Sequence, residues 1–207
     1  MHERIIKLYE DNAAAWDRQR GRELFEKAWV DRFLDLLPKR GSILDIGCGM
    51  GEPIARYFIE SGFAVTGVDS SPSLIALCRD RFPEHRWLVG DMRELALQRR
   101  FDGIIAWHSF FHLTFDDQRA MFPRFAAHAE AGAILMFTSG PMHGEAIGEW
   151  QGEPLYHASL APEEYRALLK GNGFEVLSFV AGEPLAEGPS VWMCRQISPA
   201  SGLDGSA

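Results

Sequence analysis

The stretch Ile43-Leu44-Asp45-Ile46-Gly47-Cys48-Gly49-Met50-Gly51 decides how this chain is read. A short apolar run carries one Asp, three glycines follow at alternate positions, and Pro53 comes shortly after. That order reads as a buried strand, a tight turn and a helix N-terminus, the layout with which open α/β sheets bind nucleotide-like ligands. Glycine has no Cβ, so the backbone can turn sharply and approach a ligand. The spacing then separates ligands. A dinucleotide fingerprint runs G-x-G-x-x-G and aims a helix N-terminus at a pyrophosphate. Here the run is G-x-G-x-G, and Glu52 stands in place of the last fingerprint glycine. Asp45 and Glu52 would repel a pyrophosphate and attract a sulfonium or an ammonium. The loop therefore reads as a site for a cationic ligand without phosphate.

Outward from this loop, apolar strands alternate with amphipathic helices. Residues 4–37 read as helical, with a break at Gly21. Residues 63–69 form a second strand ending in Asp69, and Ser71-Pro72 reads as the N-cap and first position of the next helix. Further strands are expected at 86–89, 101–107, 133–138, 174–180 and 190–196, the last two as antiparallel neighbours. Thr114-x-x-Asp117 offers a helix start for a helix reaching about residue 130. Pro123 conflicts with it and predicts a kink or a later start. Residues 140–160, with glycines at 140, 144, 148 and 152, read as an irregular lid. Residues 198–207 have the small, polar composition of a disordered tail. The pattern predicts βαβ units in a parallel sheet, with ligand at the C-terminal ends of the strands. Residues 1–197 are expected to form one domain, 1–38 being a helical cap.

Composition narrows the partners. The formal net charge is −8, which disfavours a nucleic-acid partner, since phosphate binding needs a basic face. Three cysteines without C-x-x-C spacing suit neither a disulfide framework nor a zinc site and read as reduced cytoplasmic thiols. No apolar run approaches the ~20 residues of a membrane span, and the charged N-terminus does not read as a signal peptide.

Four motifs in order now resemble those of class I S-adenosylmethionine-dependent methyltransferases: residues 43–51, Val68-Asp69-Ser70-Ser71, Gly90-Asp91-Met92 and Phe101-Asp102-Gly103-Ile104. The resemblance covers about residues 40–140 well. It implies a Rossmann-like, seven-stranded, mostly parallel sheet whose last strand is antiparallel, with helices on both faces. It also implies S-adenosyl-L-methionine as cofactor and S-adenosyl-L-homocysteine as product. Asp69 would then accept from both ribose hydroxyls, beside Ser70. Asp91 would accept from the adenine amino group while the Met92 amide reaches the ring. Asp45 would face the ligand's amino group, and Gly47, Cys48, Gly49 and Gly51 would line the loop. Each of these Asp residues has a plainer reading as a capping or turn residue. Cys48 reads as a packing residue, because methyl transfer runs directly between two bound substrates and no activating group sits nearby in sequence.

Trp107-His108-Ser109-Phe110-Phe111-His112 follows the fourth strand, where the family presents groups to the sulfonium and the acceptor. The Asn/Asp-Pro-Pro-Tyr motif of adenine and glutamine methylation is absent there. His112 is the candidate general base, since imidazole titrates near neutrality, against an equal reading as a structural histidine. His108 and His112, with Asp116 and Asp117, could form a metal site, but a strand-to-loop segment would not align them, and no metal is expected. Trp16 and Arg20, four apart in the cap, resemble residues that cover the cofactor and hold its carboxylate. Phe111, His143 and Tyr156 are the expected acceptor contacts.

The chain thus reads as a methyltransferase acting on a small molecule by in-line attack on the sulfonium methyl, with neither nucleic acid nor membrane as partner. The alternatives are a non-catalytic S-adenosylmethionine-binding protein and an NAD-dependent oxidoreductase.

Overall fold

In the computed structural model, residues 2–182 and 188–197 are described. The tail expected at 198–207 lies outside them. Strands β1 (Ser42–Ile46), β2 (Ala64–Asp69), β3 (Arg86–Val89), β4 (Phe101–Ala106), β5 (Ala129–Ser139), β8 (Phe174–Val180) and β9 (Ser190–Gln196) form one sheet in the order β3-β2-β1-β4-β5-β9-β8. The first five strands are mutually parallel, and β9 runs antiparallel to both neighbours. This is the parallel βαβ sheet that the alternating pattern predicts, with the seven strands and the antiparallel last strand of the Rossmann-like fold that the resemblance implies.

The strands are apolar on both faces because helices cover both. Leu44, Ile104, Leu135 and Trp192 face one side and pack with Phe122 and Phe125 of α6 (Phe115–His128) and Tyr165 of α7 (Pro162–Gly171). Their neighbours Ile43, Ile105, Ile134 and Met193 face the other side. They meet Phe33 of α3 (Lys27–Leu34), Phe58 of α4 (Ile54–Glu60) and Ile75 of α5 (Pro72–Arg81). The period-two alternation thus builds two cores from one set of strands.

The order of the strands creates the site. The chain moves outward from β1 to β3, then returns to β4 on the other side of β1. That reversal leaves a crevice beyond the C-terminal ends of β1 and β4.

Three regions depart from the sequence reading. The N-terminal helical region is split into α1 (His2–Asp11), α2 (Ala13–Gln19) and α3, with the break spread over residues 20–26 rather than at Gly21 alone. α6 starts at Phe115, where Thr114-x-x-Asp117 puts it, and continues through Pro123, so the later start does not occur. The Thr114 side chain caps it, accepting from the Asp117 amide at 3.2 Å, and buried Met121, Phe122, Phe125 and Ala126 anchor its inner face. That burial outweighs the one backbone hydrogen bond proline cannot make. The helix ends at His128, and β5 begins directly at Ala129. Finally, the region expected to be irregular is a two-stranded antiparallel hairpin of β6 (Gly144–Trp150) and β7 (Glu153–Ser159). Gln151 and Gly152, both with positive φ, make its two-residue turn, which the sequence reading missed.

Candidate active site

A cleft opens where the glycine loop, the ends of β2 and β3, the turn after β4 and helices α1 and α2 converge. Its empty space, open mouth included, is about 1070 Å³. Asp45, Gly47, Cys48, Gly49, Gly51, Asp69, Ser70, Asp91, Met92 and Trp107 line it, as do Trp16, Arg20 and His112.

The glycine loop is shaped by close approaches. Gly47 has φ +75°, and a Cβ on it would lie 2.3 Å from Ser109 Cβ. Ser109 is fixed there because its Oγ donates to the Ile46 carbonyl at 2.7 Å. The Gly47 amide donates to the Val68 carbonyl at 2.7 Å, joining the loop to the end of β2. Asp69 adds a second tie: Oδ2 accepts from the Gly49 amide and Oδ1 from the Ser71 amide, both at 2.9 Å. Each carboxylate oxygen keeps acceptor capacity for a ligand.

Asp45 differs from every other acid in the cleft. It is 5% exposed, and among the described residues no donor reaches its carboxylate. Burial, with the Asp69 carboxylate nearby, pushes it up to about 7. A buried carboxylate without a partner is costly and is relieved by a cation. Glu52, expected to share that role, does not: Arg56 Nε and Nη2 engage its two oxygens at 2.7 and 2.5 Å. The i,i+4 spacing at the start of α4 brings this pair together, so the charge reading of the loop rests on Asp45 and Asp69.

Asp91 caps the short turn Met92–Glu94, accepting from the Arg93 amide at 2.9 Å, and pairs with the Arg93 guanidinium at 2.7 Å. Arg20 Nη2 donates to Glu26 Oε1 at 2.8 Å. Among the described residues, the buried Trp107 Nε1 has no acceptor. Cys48 is half-buried beside the buried Cys78, and desolvation raises its thiol well above the ordinary range, which fits a packing role.

The cap is latched from two sides. Glu10 of α1 accepts from Ser71 Oγ at 2.5 Å and Ser73 Oγ at 2.7 Å, next to Asp69. Asp17 of α2 accepts from Arg81 Nη2 at 2.7 and 2.8 Å. Trp150 of the hairpin, itself outside the cleft lining, stacks on Tyr9 at 5.2 Å and meets Trp16 edge-on at 5.5 Å.

The expected acceptor contacts are placed differently. Phe111 lies beside His112 and His157, with ring centroids 4.9 and 5.1 Å away, but is not in the cleft wall. His143 stacks on Phe115 at 4.6 Å, outside the cleft. The Tyr156 ring is buried and its hydroxyl donates to Glu145, while its backbone carbonyl serves His112. Alternation along β7 explains this: adjacent residues point to opposite faces, so Tyr156 packs on Ile5 of α1 and His157 faces the His112 ring. Tyr9 and Trp150 were not singled out. The aromatic composition of both segments was visible, but a hairpin joining them was needed to see the contact. Among the described residues no group of three His, Cys, Asp or Glu side chains is placed to hold a metal ion.

These features are those of a nucleotide-like ligand site on a Rossmann-like sheet. Residues 16–179 match the family model described as a methyltransferase domain, and the chain belongs to that family. It is 37% identical over 101 residues to a dTDP-3-amino-3,6-dideoxy-α-D-glucopyranose N,N-dimethyltransferase from Streptomyces fradiae, over 48% of this chain and 39% of that protein. It is 31% identical over 113 residues to malonyl-[acyl-carrier protein] O-methyltransferase from Salmonella typhimurium, over 53% of this chain and 44% of that protein. These matches thus span about two fifths of each relative's length. Two solved structures share the fold. One is an amino pentose methyltransferase from Micromonospora echinaspora with S-adenosylmethionine bound (TM-score 0.67, 21% identity, 89% of this chain and 95% of that one). The other is the 1,6-didemethyltoxoflavin-N1-methyltransferase from Burkholderia thailandensis (TM-score 0.70, 20% identity, 95% and 87%).

Proposed function

We propose that this chain transfers the methyl group of S-adenosylmethionine to a small-molecule acceptor. The observation that carries the reading is Asp45: a buried carboxylate without a donor among the described residues, opening on a cleft beside Asp69. A pyrophosphate would worsen that arrangement, and the cofactor's ammonium or sulfonium relieves it. Family membership and the fold shared with an S-adenosylmethionine-bound enzyme support it.

Bound S-adenosylmethionine supplies a methyl group already activated by its sulfonium. The protein's work is then to bind, orient and exclude water, and such positioning can supply ~7–11 kcal/mol. Asp69 receives the ribose hydroxyls on the acceptor sites left free by the Gly49 and Ser71 amides. Asp45 neutralises the amino group. The unspent donors of Arg20 hold the carboxylate. Met92 offers its amide to the adenine, and Asp91, engaged by Arg93 through both carboxylate oxygens, receives the exocyclic amine by exchanging an Arg93 contact for it. Trp16 and Tyr9, with Trp150 packed against both, wall the cleft and exclude water. His112 stands on the acceptor side as the base.

The relatives named as amino-sugar N,N-dimethyltransferases support a small acceptor bearing nitrogen or oxygen. The aromatic mouth suits the apolar face of a sugar or a heterocycle. Titration calorimetry with S-adenosylmethionine, followed by a screen of amino sugars, phenols and heterocycles for S-adenosylhomocysteine release, tests the function. Binding with turnover of one class is expected. A chain that binds NAD and not S-adenosylmethionine would overturn it.

A further inference from the structure

The protonation of His112 can be read from its neighbours. The ring is 6% exposed, and both nitrogens are engaged. Nδ1 lies 2.8 Å from the Tyr156 carbonyl oxygen, and Nε2 lies 3.2 Å from Tyr9 Oη. A carbonyl only accepts, so Nδ1 carries the proton and Nε2 of the neutral ring presents a lone pair. The Tyr9 hydroxyl therefore donates to Nε2. Its oxygen keeps acceptor capacity on a ring that lines the cleft and is held by Trp16 edge-on at 5.3 Å and Trp150 in a stack at 5.2 Å.

We propose that Tyr9 receives the acceptor's proton while passing its own hydroxyl proton to His112 Nε2, and that the acceptor is therefore a hydroxyl or amine whose nucleophilic atom carries a proton. This rests on the methyl-transfer reading above. The balance is simple. The acceptor X–H proton goes to Tyr9 Oη, and the Tyr9 proton goes to Nε2. The electron pair on X forms the new X–C bond, and the S–C pair leaves with sulfur. The reaction's net proton ends on His112, whose Nδ1–H donates to the Tyr156 carbonyl throughout and stabilises the imidazolium.

The surroundings favour a relay over a phenolate. Burial, with the Asp69 carboxylate facing it, pushes Tyr9 well above the tyrosine range, so its proton stays on until the imidazole takes it. From β7, His157 faces His112 with ring centroids 4.9 Å apart, and burial holds it below the usual histidine range. It is thus neutral near pH 7 and adds no opposing charge. Phe111, on His112's own turn, contributes only an aromatic edge, and His108, one ring further along, meets Phe111 at 5.8 Å.

The test uses the full chain labelled with ¹⁵N-histidine, with S-adenosylmethionine added. The expected spectrum shows His112 as the Nδ1–H tautomer, and Tyr9→Phe shifts its Nε2 resonance toward that of an unbonded lone pair while S-adenosylmethionine affinity stays within threefold. With the acceptor found by the screen, Tyr9→Phe and His112→Gln each lower kcat about a hundredfold, the scale of general base catalysis. Both flatten the acidic limb of the kcat profile, and the double variant is no slower than His112→Gln because the two act as one unit. An Nε2–H tautomer, or a Tyr9→Phe variant with parental kcat and pH profile, overturns the relay. Loss of S-adenosylmethionine binding in the parent itself would instead overturn the function and is distinguished by the calorimetry.

Discussion

The Gly49 amide donates to Asp69 Oδ2 at 2.9 Å, so the glycine loop after β1 is fastened to the residue that ends β2. One carboxylate thus shapes the loop and opens on the cleft. Removing it affects both, which makes Asp69 a sensitive probe of the cleft.

Asp69→Ala is expected to weaken S-adenosylmethionine binding ten- to a hundredfold, since a charge-assisted hydrogen bond is worth roughly 1.5–3 kcal/mol. Asp69→Asn retains an acceptor for the Gly49 amide and should lose less. Calorimetric affinities for the two variants check the order. Equal affinity of Asp69→Ala and the parent would remove Asp69 from the ribose.

Gly47→Ala should destabilise the fold itself. The added methyl would sit 2.3 Å from Ser109 Cβ, on a backbone with φ +75°. Strain of this kind costs about 1–3 kcal/mol, and Ser109→Gly in the same chain should restore part of it. Thermal or urea unfolding of the single and double variants reads the difference. A Gly47→Ala protein of parental stability would show that the loop can move away from Ser109.

Asp45 makes the ligand-free protein sensitive to alkali. Its carboxyl sits at about 7 in the fold against 3.8 in an unfolded chain. Between those values the folded state binds more protons, so stability is greatest at low pH and is lost as pH rises to about 7. The contribution lost is about 4 kcal/mol. Asp45→Asn should remove this slope and raise the melting temperature at pH 8, while binding S-adenosylmethionine poorly. Unfolding curves from pH 5 to 8 check it, and parallel slopes for the two proteins would contradict it.

Through its stack on Tyr9, which lines the cleft, Trp150 is expected to slow ligand release. Trp150→Ala should speed S-adenosylmethionine release by about two- to tenfold, the worth of an aromatic pair of ~0.5–1.5 kcal/mol. Stopped-flow displacement measures it. An unchanged off-rate would leave the hairpin a packing element.

The sheet was legible because strands buried on both faces read as continuous apolar runs between helices, and Asp45, Asp69 and Asp91 each mark a strand end or its turn. The cleft residues followed, since a strand end points to one place in such a sheet. Glu52 misled because only the folded helix shows its i,i+4 partner Arg56 taking the charge. Residues 140–160 misled more: polar and glycine-rich composition does not reveal which residues pair across a hairpin, and His143 and Tyr156 consequently stand outside the cleft wall. Tyr9 could not be found by spacing, since its partner His112 lies 103 positions away. Pro123 shows that a buried apolar face can override a local helix breaker.

On the proposed function, the Asp45 carboxylate, without a donor among the described residues, holds the cationic end of S-adenosylmethionine. Titration calorimetry with S-adenosylmethionine at pH 6 and pH 8, on the parent and Asp45→Asn, is the decisive measurement. Parental affinity is expected to rise about tenfold from pH 6 to pH 8 as the carboxyl ionises, and Asp45→Asn to bind at least tenfold more weakly at pH 8 with no such rise. Parental affinity in Asp45→Asn at both pH values would contradict it.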